Sequence, residues 1–463
     1  MKVQLMNNKI VLLGAGISGL TAAFLLDKEG YDVTVLEKKN EPGGSIETVF
    51  EKGYLFDRGP NSGLETTPLI EQIVNDLNLS DQFVYANRKG NKRYILRNDV
   101  LHPLPMNPRS FFKSKLFSTS GKFRLFAEPF IGRSKDGYYQ SIADFVKRRL
   151  GQEFLDYAIN PFVAGVYAGN PEDLSVKSAF PKLYALEEKY GGLIKGTIKS
   201  IKERKNRSEK SKQDAKMFSF NNGMQVFPNA IADNLGEKVH LNAEVTSVEK
   251  VSSGYKINYS EAGVSSSLIC NYIVSTIPAY SASTLFGKFD ILLAEHLNKI
   301  YYPPVLVLYI AYDIKDIGQP LDGFGFLIPA KEKKSFLGAI WSSVLFPNRA
   351  GEDKASFTLF IGGARDPEVG SYDKELLIKR VRNEFETLMR IVGKPIYLSY
   401  KFWPKAIPQY NLGYVEHENY FDKFEKENPG ILLGGNYREG ISVGDCIKNS
   451  EKILNKIRNL SNN

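Results

Sequence analysis

A glycine-rich turn is set between two apolar runs near the start of the chain. Gly14, Gly16 and Gly19 interrupt IVLLGAGISGL, and Glu37 ends the next apolar run, DVTVLE. The run KIVLLG reads as a strand, the glycines permit a sharp turn and close backbone approach, and Ser18 to Asp27 reads as a helix. A helix that starts on such a turn presents free amides and the positive end of its dipole to a pyrophosphate. An acid about 20 residues beyond the glycines suits a ribose hydroxyl and repels a 2′-phosphate, so FAD or NAD is favoured over NADP.

The residues just beyond the acid narrow the choice. Gly43 and Gly44 come soon after Glu37, and Gly59, Pro60 and Asn61 lie behind a third strand-like run in DRGPNS. A nicotinamide dinucleotide has no use for a second glycine pair so close to the ribose acid. A flavin dinucleotide, lying extended, needs a further close backbone approach along its length.

Composition bounds the rest. With 463 residues, 43% of them hydrophobic, the chain has material for two or three domains. Its 29 Phe and 25 Tyr suit a large flat apolar pocket as well as ordinary core packing. Two cysteines, Cys270 and Cys446, give no disulfide framework and no CxxC pair, which fits a reducing cytoplasm. Four scattered histidines, His102, His240, His296 and His417, lack ligand spacing, so no metal site is expected. MKVQLMNN leaves no room for a signal peptide before the first strand, and VLVLYIAY is too short to span a bilayer.

The net charge of +9 is uneven. Residues 109–149 hold ten Lys/Arg against three acids and 182–216 hold eleven against five, which leaves the remainder net acidic. In SFFKSKLFSTSGKFRLFAEPF the cations alternate with Phe111, Phe112, Phe117, Phe123 and Phe126. Such a segment either lies on an anionic lipid surface with its rings dipping in, or packs on its own protein with a basic face in water. No recognisable nucleic-acid module accompanies the charge, so no nucleic-acid partner is expected. KSIKERKNRSEKSKQDAK reads as a solvated helix end followed by a loop.

Along the chain, βαβ signals fill the first 90 residues and a helical period runs through SIADFVKRRLGQEFLDYAINPFV. Alternating strands come next in KVHLNAEVTSVEKV and GYKINYS, and NYIVSTIP reads as a buried strand. From about 285 to 405, PVLVLYIAYDI, GFGFLIP, FLGAIWSSVLF and SFTLFIGG read as an antiparallel sheet with one helix, KELLIKRVRNEFETLMRIV. The last segment, GILLGGNYREGISVGDCIKNSEKILNKI, returns to strand, glycine turn and helix. Cofactor-like signals at the start, middle and end imply a nucleotide domain assembled from three separated pieces.

GAGISGLTAA, PGGSIETVFEKGYLFDRGPNS, NPFVAGVYAGNPEDLSVKSAFPKL, NNGMQVFPNAI, WPKAIPQYNLGY and GGNYREGISVGDCI, in that order, resemble the FAD-dependent protoporphyrinogen and coproporphyrinogen oxidases of the flavin amine oxidase superfamily. The resemblance implies an α/β chain, α+β overall. A Rossmann-like FAD domain from discontinuous segments (1–88, 218–284, 406–463) would join a mixed-sheet substrate domain (89–104, 285–405) and a helical membrane-associating domain (105–217). It implies non-covalent FAD, with Gly14, Ala15, Gly16, Ser18 and Gly19 at the pyrophosphate and Glu37 at the adenosine ribose. Ser45 stands where many amine oxidases have Arg, which leaves helix amides and Lys38 to compensate. Val245 would pair its backbone with the adenine and Trp403 would lie near the flavin. Gly435, Asn436, Ile441, Ser442 and Val443 would meet the isoalloxazine from a helix N-terminus, where negative charge on the reduced ring is stabilised.

For the substrate, the resemblance implies Arg93 at a propionate and Phe162, Gly165, Phe324, Leu327 and Phe360 around a macrocycle. No side chain is assigned as acid or base, since the flavin acts as the electron sink. The implied activity is oxidation of protoporphyrinogen IX to protoporphyrin IX in three two-electron steps, with dioxygen as acceptor and hydrogen peroxide released. Coproporphyrinogen III is the competing substrate. Amine oxidases and carotenoid desaturases share only the first and last motifs, and a flavin-free binding protein would not need intact glycines and Glu37. Implied partners are the porphyrinogen, dioxygen, an anionic membrane on the inner face of the cell membrane, and a downstream haem-pathway enzyme that accepts the product.

Overall fold

Ile10–Leu13 of KIVLL and Val33, Val35 and Leu36 of DVTVL are apolar and buried because these strands lie inside a parallel sheet, where both faces are covered. Strand β1 (Lys9–Leu13), helix α1 (Ile17–Lys28) and strand β2 (Asp32–Leu36) form the first βαβ step of this sheet. The computed structural model describes residues 8–204 and 215–462. The parallel sheet runs in the order Val239–His240, β2, β1, Tyr272–Ser275, Ile431–Leu433, so distant parts of the chain share one sheet. Helix α1 has every residue from Ile17 to Leu26 buried, because it is covered by helices Val443–Ser461 and Val226–Leu235.

Beside it stands a three-stranded antiparallel sheet, Ala243–Val251, Gly254–Glu261 and Val264–Cys270. The amide of Ala243 donates to the carbonyl of Glu37, tying this sheet to the end of β2. Its third strand was not expected from sequence, since VSSSLIC has little apolar alternation.

A seven-stranded sheet takes the order Tyr397–Trp403, Val305–Asp313, Lys354–Gly362, Gly338–Ile340, Gly325–Leu327, Arg93–Arg97, Val100–Pro103. Its pairs are antiparallel except Gly325–Leu327 with Arg93–Arg97, so the sheet is mixed and not purely antiparallel. FLGAIWSSVLF contributes only Gly338–Ile340 as strand before turning into the helical turn Ser342–Leu345. Helix Lys374–Met389 covers one face through Leu377, Val381 and Phe385. The other face, with Val305, Val307, Tyr309 and Ala311, meets Tyr54, Phe56 and Ala164. Tyr54 and Phe56 belong to the hairpin of β3 (Thr48–Glu51) and β4 (Tyr54–Asp57), and Ala164 to helix Asn160–Tyr167.

The helical period from 141 onward is broken at Gly151, whose φ of +94° ends Ile142–Arg149, and by a π-helical turn at Leu155–Ile159. Arg149 is fully buried between Glu128 (3.0 Å) and Glu187 (2.6 Å), so part of the basic stretch is internal. Leu193–Arg204 is helical as expected, and the loop expected after it lies outside the described residues.

Candidate active site

The first glycine turn has the tight, Cβ-free backbone that a pyrophosphate would require. Gly14 has φ +97°, and a Cβ at Gly19 would lie 2.1 Å from the Gly14 carbonyl oxygen. Gly16 caps α1 without a side-chain hydrogen bond, which leaves the first-turn amides for a ligand. Gly43 donates its amide to the Ala15 carbonyl at 2.8 Å, and a Cβ on Gly44 would lie 3.1 Å from the Gly16 Cα. The two glycine motifs therefore meet backbone to backbone. Gly59 closes on the same place, since a Cβ there would lie 1.8 Å from the Ser45 carbonyl oxygen.

Glu37 is buried, with Oε2 accepting from the Ala15 amide (2.8 Å) and Oε1 from the Lys39 amide (2.9 Å). An ionised carboxylate has about four acceptor positions, so capacity for ribose hydroxyls remains. Lys38 is exposed, and it is Lys39 that reaches back, donating from Nζ to the Gly44 carbonyl at 2.8 Å. Val245 sits two residues into its strand, where the register shifts before Ser247.

The C-terminal segment joins the cradle through the β1 neighbour strand. Thr276 Oγ1 donates to the Leu13 carbonyl (2.9 Å), and a Cβ on Gly435 would lie 3.1 Å from the Thr276 carbonyl oxygen. Ser442 caps helix Val443–Ser461, accepting from the Asp445 amide, and Ile441 is half-buried beside it. Tyr410 donates to the Asn436 carbonyl (2.8 Å) and accepts from the Gly440 amide (2.8 Å). Complete burial raises the Tyr410 pKa well above the phenol value, so it stays a neutral hydrogen-bonding post. Trp403 Nε1 donates to the Arg58 carbonyl (2.8 Å), which fixes the chain just before Gly59, Pro60 and Asn61. Buried Ser18 gives its carbonyl to Ser450 Oγ (2.9 Å), locking α1 to the last helix. Lys39, Thr276 and Tyr410 are contacts that the sequence reading missed. A hydroxyl just after the buried strand YIVS was the available signal for Thr276.

The substrate-side residues fall into two groups. A Cβ on Gly165 would lie 2.6 Å from Leu327 Cδ2, and Phe360 pairs in register with Gly338, itself opposite Leu327. Phe162 is on the exposed side of the same helix as Gly165, with its ring 5.9 Å from Phe180. Arg93 and Phe324 form the second group, the guanidinium lying 5.3 Å above the ring. Arg93 reaches solvent on one side while protein crowds the other, and desolvation pushes its pKa down. Neighbouring cations are matched, Lys92 with Asp322 (2.5 Å), Arg97 with Glu153 (2.7 Å) and Lys331 with Asp156 (3.1 Å). Among the described residues Arg93 has no carboxylate partner.

The aromatic stretch needs correction. Phe117 is 4% exposed and stacks on Phe154 at 4.4 Å, and Phe111 is half-buried against both. The outward rings are Phe112, Phe123, Phe126 and, beyond those expected, Phe130, which is 89% exposed. No described helix is long and apolar enough to cross a membrane.

The first glycine turn, Glu37 and the C-terminal glycine loop gather at the carboxyl ends of parallel strands, the geometry of a dinucleotide site. Residues 17–451 match the family of flavin containing amine oxidoreductases, and the chain belongs to that family. It is an oxidoreductase with FAD as its cofactor. It is similar to protoporphyrinogen oxidase 2, chloroplastic/mitochondrial, of Arabidopsis thaliana, 33% identical and covering 98% of this chain and 95% of the relative. Similarity to the coproporphyrinogen III oxidase of Bacillus subtilis is 28%, covering 95% of each. Among solved structures, the fold is shared with an Exiguobacterium protein described as a protoporphyrinogen oxidase (TM-score 0.79, 19% identical, 97% and 98% covered). It is also shared with cyclohexylamine oxidase from Brevibacterium oxydans (TM-score 0.70, 16% identical, 98% and 100% covered).

Proposed function

We propose that this chain oxidises a porphyrinogen to its porphyrin in three two-electron steps, passing the electrons to dioxygen and releasing hydrogen peroxide. FAD, when bound, supplies the electron acceptor for each step. The residues around Gly14–Gly19, Glu37, Gly43–Ser45, Gly59–Asn61, Val245, Trp403 and Gly435–Val443 hold it. The helix end at Ser442 favours negative charge near its amides. Phe162, Gly165, Leu327 and Phe360 grip the macrocycle, with Gly165 leaving room for the Leu327 side chain, and they exclude water from the reacting carbon.

The observation that carries the reading is Arg93, a guanidinium over the Phe324 ring with no carboxylate partner among the described residues, on the strand that pairs with Gly325–Leu327. A guanidinium at this one position suits a substrate with two propionates better than one with four, so protoporphyrinogen IX is the substrate we favour. Coproporphyrinogen III stands as the second reading, supported by the names of the bacterial relatives. Initial rates on the two porphyrinogens, with dissolved oxygen followed, test the proposal. A yellow protein that makes neither porphyrin refutes it, and a strong preference for the four-propionate substrate reverses the choice.

The division into three parts, with segments 1–88, 218–284 and 406–463 around the flavin, belongs to this reading. So does contact of Phe112, Phe123, Phe126 and Phe130 with an anionic bilayer, in a stretch rich in Lys and Arg. Product would pass from there to the next enzyme of the pathway.

A further inference from the structure

Asp57 is a buried acid with no role in substrate or cofactor binding so far. It ends β4, immediately before the Arg58–Asn61 loop, and is 1% exposed. Its Oδ1 accepts from Thr48 Oγ1 (2.5 Å) and from the Met224 amide (2.9 Å), while Oδ2 has no hydrogen-bond partner. The cation nearest Oδ2 is Arg349, at 3.7 Å. From the seven-stranded sheet, Tyr309 Oη donates to the Asp57 carbonyl (3.0 Å), and Arg58 beyond it is held by Glu47.

Next to this carboxylate is a cavity of about 10 Å³, bordered by Phe56, Asp57, Asn61, Leu345, Phe346 and Arg349. That is room for about one water, and Asp57, Asn61 and Arg349 supply the polar partners a buried water requires. Arg349 also seals the cavity. Its guanidinium donates to Ser219 Oγ (2.9 Å) and to the carbonyls of Asn221 and Phe220, standing between this cavity and an outer cleft of about 560 Å³ that it also borders.

We infer that Asp57, through a water held between it, Asn61 and Arg349, is the proton store of the flavin site. The inference rests on the proposed porphyrinogen oxidation and on Asn61 lying at the flavin. In each two-electron step the substrate loses two hydrogens. One leaves with the electron pair to the cofactor and the other leaves as a proton. Forming hydrogen peroxide from dioxygen takes that electron pair, that hydrogen and one further proton. The Asp57 carboxylate gains an O–H bond when the substrate loses its proton and breaks it when peroxide forms, so substrate and dioxygen give porphyrin and peroxide with no net proton. Burial pushes the Asp57 pKa up against the opposing pull of Arg349, Thr48 and the Met224 amide, which favours proton uptake.

The test is anaerobic reduction of the holoenzyme by protoporphyrinogen IX in weak buffer with a pH-indicator dye, flavin bleaching being followed together with proton release. Wild type should bleach with no proton reaching the bulk, whereas D57N should release one per flavin. R349Q, which removes the cation, should move the pH–rate limb of this group upward. Equal proton release by wild type and D57N, or an unmoved limb in R349Q, overturns the inference.

Thermal unfolding of the holoprotein against pH gives a readout independent of turnover. Because the folded pKa is raised, the folded state holds more protons above the ordinary aspartate value, so wild type should lose stability as pH rises through that window. D57N should lack this loss, and identical curves also overturn the inference. Absence of bleaching by either porphyrinogen refutes the proposed function instead, and the unfolding curves still decide Asp57.

Discussion

Gly19→Ala sets two effects of opposite sign against each other. Gly19 lies inside α1, and replacing a helical glycine by alanine ordinarily stabilises by about 1 kcal/mol. Here the new Cβ would lie 2.1 Å from the Gly14 carbonyl oxygen and 2.6 Å from Thr276 Oγ1. The nearer atom is backbone and cannot rotate away, so the turn or the helix must shift, at a cost of about 1–3 kcal/mol for forced overpacking. The clash outweighs the propensity gain, and the element that moves is the one proposed to cradle the pyrophosphate. A loss of about 1.4 kcal/mol in binding is tenfold in Kd. G19A should therefore hold FAD at least about tenfold more weakly and melt a few degrees lower, measured by flavin-fluorescence titration of apoprotein and by thermal scan. Gly30→Ala is the control, because Gly30 has φ +85° but no atom within 4 Å of its Cβ position. It should cost stability alone, leaving FAD affinity unchanged. If G19A melts higher than wild type and keeps its affinity, the packing argument is wrong.

Arg149→Met removes the cation between two buried acids, Glu128 and Glu187, and should destabilise by about 3–5 kcal/mol in urea unfolding, the usual effect of stripping one partner from a buried pair. Burial, and then His296 at 2.9 Å, holds the His417 pKa down to about 4. As pH falls from about 6.5 toward 4 the unfolded chain takes a proton that the folded chain refuses, so stability drops across that window. H417Q should flatten the melting curve over that window. F123S/F126S/F130S should release the protein from anionic vesicles in a flotation assay while leaving unfolding unchanged. F117S should instead lower stability by about 3 kcal/mol or more, because its ring stacks internally on Phe154. Gly165→Val should raise KM for the porphyrinogen, since its Cβ drives into Leu327 on the proposed pocket wall.

The first βαβ step and its glycine turn were legible because their signals are local. Gly14, Gly16, Gly19 and Glu37 sit in one βαβ step whose hydrophobic runs and glycines are read within about 25 residues. The strand orders of the large sheets were not legible, since Arg93–Arg97 pairs with Gly325–Leu327 across more than half the chain. The strand Val264–Cys270 escaped because three consecutive serines, Ser265–Ser267, hide its alternation, and Gly151 broke a helical period that ran on without interruption in hydrophobicity.

By itself the sequence determined that a dinucleotide with two close backbone approaches would be held near the N-terminus, because a Cβ-free backbone at those positions has few other uses. It also set the excess of rings and cations in residues 109–133. Tertiary structure alone decided that Phe117 turns inward while Phe123 and Phe130 turn out, and that Lys39 reaches back to the Gly44 carbonyl while Lys38 is exposed. It alone brought Arg349 to Asp57 beside Asn61. These outcomes depend on which distant surfaces close on one another, a property of packing between elements that no local period or spacing encodes.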